Sequence, residues 1–164
     1  MSATQTRLPG RGWGRRPPPP SEHAEQAAFF ARCAARAATD PDAGDLKGLF
    51  AVPNGAYYGP DPRTRAIIGA RMHSEGMQAG VPDVVLPVPR PRTPTDPPAP
   101  PGTPPDWWVS LYLELKRQRG GRLAPEQQSW HEWLRAQGCQ VVVCPGADAA
   151  YAAVCAYLGL PEEG

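Results

Sequence analysis

Apolar residues along this 164-residue chain change their spacing several times, and each change marks an element. Residues 22–38, EHAEQAAFFARCAARAA, are mostly helix formers, and Ser21 follows a proline run as a candidate N-cap, so the pattern predicts a helix. GLFAVPNGAYYG opens with a short apolar strand at 49–52 and passes into a Pro-Asn-Gly turn. Residues 54–62 are expected to form an exposed loop, and 63–78 carry helical potential among mixed signals. A second strand starts near Asp83 in GVPDVVLPV and a third covers 108–115, the two predicted to pair as a hairpin with an oversized, polyproline-like loop. Pro125 suits the first position of a helix running through Gln137, with Gly138 just past its end. CQVVVCP then predicts a fourth strand, and residues 147–158 a last helix.

This order predicts an α/β fold with a mixed central sheet of about four strands flanked by helices. The helix between the third and fourth strands serves as a crossover connection. Composition adds two appendages. Of 23 prolines, five fall in residues 1–20 and ten in residues 87–106. The first stretch reads as a disordered Arg/Pro-rich arm and the second as a poorly ordered insertion in a folded domain spanning 21–160. The 17 basic and 16 acidic residues nearly cancel, so any nucleic-acid partner must be read from local patches. Cys33, Cys139, Cys144 and Cys155 form no C-x-x-C pair, which argues against a zinc site and for ordinary thiols. No apolar stretch approaches a membrane span, and a cytoplasmic protein without a membrane partner is expected.

Chemistry concentrates in WVSLYLELKRQRGG. Strand alternation turns Val109, Leu111, Leu113 and Leu115 one way and Tyr112, Glu114 and Lys116 the other, so Glu114 and Lys116 share a face expected to point outward. A strand carboxylate can hold a hard divalent cation, and a lysine one repeat on can contact a phosphate or an activated water. One carboxylate is a poor magnesium site. Asp83, at the start of the preceding strand, is the natural second, giving the pattern Pro82-Asp83 … Glu114-Leu115-Lys116.

With EQAAFF, FAVPNG, EGMQAGVPDVVL, YLELKRQRGGRLAPEQQSW and LRAQGCQVVVC in this order, the chain resembles the VRR-NUC family, a compact branch of the PD-(D/E)xK nuclease superfamily found as standalone phage and bacterial proteins. The resemblance runs from about Glu22 to Leu158. It implies a restriction-endonuclease-like core in which Asp83, Glu114 and the backbone carbonyl of Leu115 ligate Mg2+, with Mn2+ able to substitute. Lys116 would orient or help deprotonate the attacking water, and Gln127 would position the lysine or the nucleophile. Glu25 matches the family's upstream acidic residue, a catalytic-site acid that would bind the metal directly or through water, and Glu22, three residues earlier, could share its helix face, so either could fill that role. The implied activity is hydrolysis of DNA phosphodiesters, structure-selective for branched, flap, junction or partly single-stranded DNA in repair, replication or recombination, with a homodimer plausible at a junction.

Arg117, Arg119 and Arg122 cluster beside Lys116 as candidate phosphate contacts, and Gly120 and Gly121 would let the backbone approach a phosphate. Asn54, Tyr57, Tyr58, Arg63, Arg65 and Arg71 could form a second flank. Singly, Glu22, Glu25 and Gln127 read rather as surface residues, and each arginine equally as part of a solvated turn. His73 and His131 read as surface or part-buried side chains, and Trp130 and Trp133 as packing beneath a helix. A binding module of the same fold that has lost catalysis is the rival reading, and the intact Asp83, Glu114 and Lys116 argue against it.

Overall fold

The computed structural model describes residues 19–53, 61–118 and 121–161. The N-terminal arm up to residue 18, the loop carrying Asn54, Tyr57 and Tyr58, and Arg119 and Gly120 lie outside the described residues. Helix α1 spans Glu22–Thr39 and is capped by the Ser21 hydroxyl, which accepts from the Ala24 amide at 3.2 Å. Its buried residues Glu25, Phe29, Cys33, Arg36 and Ala37 recur at helical spacing and form one stripe. A 3-10 segment, Pro41–Gly48, returns the chain along α1 and buries Ala43 and Leu46. Strand β1 is Phe50–Ala51, and helix α2, Pro62–Ser74, follows the undescribed loop.

Strand β2 (Val84–Leu86) pairs antiparallel with β1 on one side and with β5 (Leu111–Lys116) on the other. Helix α3 (Pro125–Ala136) then crosses over so that β6 (Gln140–Pro145) lies parallel to β5, and α4 (Ala147–Leu158) closes the chain. The sheet order β1-β2-β5-β6 is thus mixed, with one parallel pair created by the crossover helix. Gly138, at φ 83°, follows α3 as the pattern predicted.

Leu111, Leu113 and Leu115 point into the main core, against Phe29 and Cys33 of α1 and Tyr151, Val154 and Cys155 of α4. Complete burial of each leucine contributes roughly 1.5–3 kcal/mol. The other face carries a smaller cluster, Leu134, Cys139 and Val141 with Tyr112 and Trp130, under α3. Because α3 must recross the sheet to make β6 parallel, this second face is covered at its centre. Glu114 therefore does not face outward: it is fully buried. Val109 departs from the leucine set for a different reason. Its amide donates to the Gly138 carbonyl at 3.1 Å ahead of the β5 ladder, and its side chain is 44% exposed.

The expected third strand is two pieces. Trp107–Trp108 forms β4, which pairs with β3 (Arg90–Pro91) in a ladder of its own. This gives the proline-rich insertion order that its composition does not announce. Arg90 reaches Asp96 through both Nη atoms at 3.1 and 3.2 Å, and the Arg92 guanidinium lies 3.4 Å over the Trp108 ring. The Tyr157 hydroxyl of α4 donates to the Val88 carbonyl at 2.6 Å, tying the insertion to the domain. Helix α2 contrasts with it. Asp61 caps α2 through the Thr64 amide at 2.9 Å, but α2 buries no residue and leaves Ile67 and Ile68 exposed.

Candidate active site

The register of β2 against β5 pairs Val84 with Leu113, so one step further Asp83 stands beside Glu114 at the ends of two neighbouring strands. Asp83 leaves the ladder there, and its Oδ2 accepts from the Leu115 amide at 2.8 Å. Within a strand, a residue's N–H and C=O point to the same edge, so the Leu115 carbonyl is turned toward Asp83 as well. The carbonyls that face the other way pair with the far side, as when Lys116 O accepts from Gly146 N at 3.0 Å.

Glu114 Oε1 accepts from Lys116 Nζ at 2.6 Å and from Gln127 Nε2. Gln127 is fixed at its other end, where its Oε1 accepts from the Ala124 amide at 2.9 Å, so one side chain both caps α3 and braces Glu114. Gly80 sets the depth of that helix. It holds φ +86°, and a Cβ there would stand 2.6 Å from the Glu126 carbonyl carbon and 2.9 Å from the Gln127 amide. Only glycine lets the segment leading into Asp83 rest against the first turn of α3. Gly121 lies against the lysine: a Cβ there would stand 2.7 Å from Lys116 Cβ. Among the described residues that close approach is to Lys116.

The two carboxylates share a partly desolvated site, and burial makes ionisation of each more costly. Burial, then the charge of Glu114, pushes Asp83 up to about 6. Burial also raises Glu114, against the pull of Lys116. Glu22 adds repulsion to both, which places its charge within reach of the pair. Its Oε1 accepts from the Arg117 amide at 3.4 Å.

Glu25 is held through both of its carboxylate oxygens. One oxygen accepts from Gln118 Nε2 at 3.0 Å and the other from the Ala147 amide at 2.8 Å, the first N–H of α4. It thereby caps a helix whose own N-cap residue, Gly146, has no side chain. Of the pair left open by the sequence, Glu25 is bonded through both oxygens and Glu22 is the acid near the carboxylates.

The residue that sequence reasoning missed is His131. It is 1% exposed, contrary to the surface or part-buried position expected, and its Nε2 lies 3.6 Å from Glu114 Oε2. Burial, then the charges of Arg135 and Lys116, lowers its pKa. The spacing Gln127 to His131, one helical turn, was the available signal. Arg117 and Arg122 are exposed beside the site. Arg63 and Arg65 are exposed on α2, and Arg71 there pairs with Glu75 at 2.8 Å. Trp130 packs as expected, but Trp133 is 55% exposed. All four cysteines are free thiols and buried.

No group of three His, Cys, Asp or Glu among the described residues is arranged to hold a metal ion. The donors nevertheless fit a magnesium-type ion, which keeps several waters and takes only one or two protein carboxylates besides the substrate's own oxygens. Glu114 Oε2 is buried without a hydrogen-bond partner among the described residues, which leaves lone pairs that a cation could take.

A mixed four-stranded sheet with helices on both faces, and Asp83, Glu114 and Lys116 at adjoining strand ends, defines a protein of the PD-(D/E)xK nuclease type. The VRR-NUC domain model matches residues 60–148, more than half of the chain, and the chain belongs to that family of nuclease domains. A solved structure described as a VRR_NUC domain protein is similar at 16% identity, over 88% of this chain and 93% of that one, with a TM-score of 0.58, and so supports the fold. No curated protein matches the chain. Membership supports a nuclease role, implies DNA as substrate, and brings a family that generally uses divalent metals. No helix among the described residues is long and apolar enough to cross a membrane.

Proposed function

We propose that the protein is a Mg2+-dependent deoxyribonuclease, with Mn2+ able to substitute, acting on branched, flap or junction DNA in repair, replication or recombination. The observation that carries this is the convergence of Asp83 and Glu114 at two strand ends with Lys116 on the Glu114 carboxylate. Asp83, Glu114 Oε2 and the Leu115 carbonyl are the groups that would hold the ion. When bound, it supplies Lewis-acid polarisation of the phosphate and a water acidic enough to attack at neutral pH.

The chain's own residues prepare the rest. Gln127 and Lys116 lock one oxygen of Glu114, so the carboxylate keeps one orientation. Lys116 Nζ keeps further N–H donors beyond the one given to Glu114, and they are available to the attacking water and to the negative charge developing on the phosphate. Arg117 and Arg122, with Arg119, Asn54 and Tyr57, which lie outside the described residues, form the proposed DNA contacts. Contacts of this kind grip phosphates without reading bases, which supports selection by DNA shape. A homodimer would present two such sites to a junction.

The test incubates the purified protein with flap, junction, single-stranded and duplex DNA in Mg2+, Mn2+ or EDTA, beside Lys116→Ala. Metal-dependent cleavage of branched substrates that drops about 10^2-fold or more in Lys116→Ala is expected. Cleavage that persists in EDTA, or at full strength in Lys116→Ala, overturns the mechanism. DNA binding with no cleavage of any substrate supports a binding module instead.

A further inference from the structure

We propose that His131 is a positioning residue for Glu114, its Nε2–H directed at Glu114 Oε2 so that helix α3 braces both oxygens of one carboxylate. The inference deepens the nuclease reading, resting on Glu114 as an ion ligand. It begins from three orphaned atoms: Glu114 Oε2, His131 Nδ1 and His131 Nε2 are all buried without a hydrogen-bond partner among the described residues. Buried polar atoms are ordinarily paired. Two of these three face each other at 3.6 Å, and a closure of about 0.5 Å brings them within normal hydrogen-bond range.

The fold makes the arrangement deliberate. Gln127 and His131 stand one turn apart on α3, so both descend onto the same strand residue, Gln127 to Oε1 and His131 toward Oε2. Oε1 is already shared by Lys116 and Gln127, which leaves Oε2 to meet a cation. A carboxylate oxygen has two lone pairs and accepts an N–H while ligating an ion. With Nε2–H on one lone pair, the other is left for the ion. Hydrogen-bond partners of metal ligands set their orientation, and losing one typically costs 10- to 100-fold in metal affinity or activity. A histidine that merely fills space beneath α3 predicts none of this.

The test uses the full chain in three forms: wild type, His131→Phe, which keeps the ring volume and removes both nitrogens, and His131→Gln, which restores one donor. Mn2+ binding is read from the electron paramagnetic resonance signal of the free ion, and the imidazole tautomer from 15N-edited NMR of the wild type and of Glu114→Gln. Expected are Mn2+ affinity weakened about 10-fold or more in His131→Phe, recovery to within about 3-fold in His131→Gln, a wild-type ring protonated at Nε2, and a shift of its resonances in Glu114→Gln. Undiminished Mn2+ affinity in His131→Phe, or a wild-type ring protonated at Nδ1 alone, overturns the proposal. Should His131→Phe fail to fold, His131→Gln and the tautomer decide. Should the wild type bind no Mn2+, the metal-dependent reading fails, while the tautomer and its response to Glu114→Gln still decide the His131 contact.

Discussion

Asp83 Oδ2 accepts a hydrogen bond from the Leu115 amide at 2.8 Å, so an aspartate at the end of one strand completes the pairing of the next. The bond fixes the carboxylate beside Glu114, and burial, together with that charge, raises the Asp83 pKa to about 6 from an ordinary value of 3.8.

The sign of the resulting pH dependence follows. A carboxyl whose folded pKa lies above its unfolded value contributes stability that is full below about pH 4 and lost as pH rises through about 6. Ionised Asp83 thus costs the metal-free protein on the order of 2 kcal/mol at pH 8. Asp83→Asn, which can still accept from Leu115, is expected to raise the melting temperature in EDTA by about 4–8 °C at pH 8 and by much less at pH 4, while eliminating cleavage. Paired thermal melts at the two pH values check this, and an equal shift at both would remove the electrostatic explanation.

Metal addition should relieve the same repulsion. At pH 8, Mg2+ at about 100 times its dissociation constant is expected to stabilise the protein by about 2.7 kcal/mol. Glu114→Gln should lose that gain, because it removes the charge that Oε2 offers. Calorimetric melts across a Mg2+ titration measure both, and stabilisation that survives Glu114→Gln would move the ion elsewhere.

Glu25 is expected to behave as a helix cap. Glu25→Ala should destabilise the chain by about 1–2 kcal/mol, since the Ala147 amide and Gln118 lose their acceptor. Glu25→Gln, still able to accept from Ala147, should recover most of this and leave the Mg2+ concentration for half-maximal cleavage unchanged. Urea denaturation and a metal titration of cleavage distinguish the roles; a raised Mg2+ requirement in Glu25→Gln would make Glu25 part of the ion site.

Gly80→Ala should be costly despite its small size. Positive φ and the contact with the Glu126–Gln127 peptide together predict a loss of about 2–4 kcal/mol. Any folded fraction should cleave poorly, because a displaced α3 start carries Gln127 off Glu114. Gly76→Ala, at φ +97° with nothing among the described residues within 4 Å of its Cβ, is the control, expected to lose only the backbone part. Equal losses in the two variants would show that the contact with α3 has no weight.

The sequence by itself determined most of the elements and named Asp83, Glu114 and Lys116 as one candidate site. Helical spacing in α1, the Pro125 and Gly138 boundaries of α3, and the apolar runs of β5 and β6 are local signals, set by side-chain periodicity and backbone sterics within a few residues. Asp83, Glu114 and Lys116 were legible because strand alternation and one motif place them in register. The contacts that tie down the proline-rich insertion were not legible because they join residues far apart in the chain, Arg92 with Trp108 and Val88 with Tyr157. Tertiary structure alone decided that α3 buries Glu114, that Glu25 caps a helix 122 residues away, and that His131 faces the carboxylate. The physical reason is common to all three. Which face of a sheet is covered, and which buried atom finds a partner, depends on where a crossover helix lands, and no local pattern encodes that position.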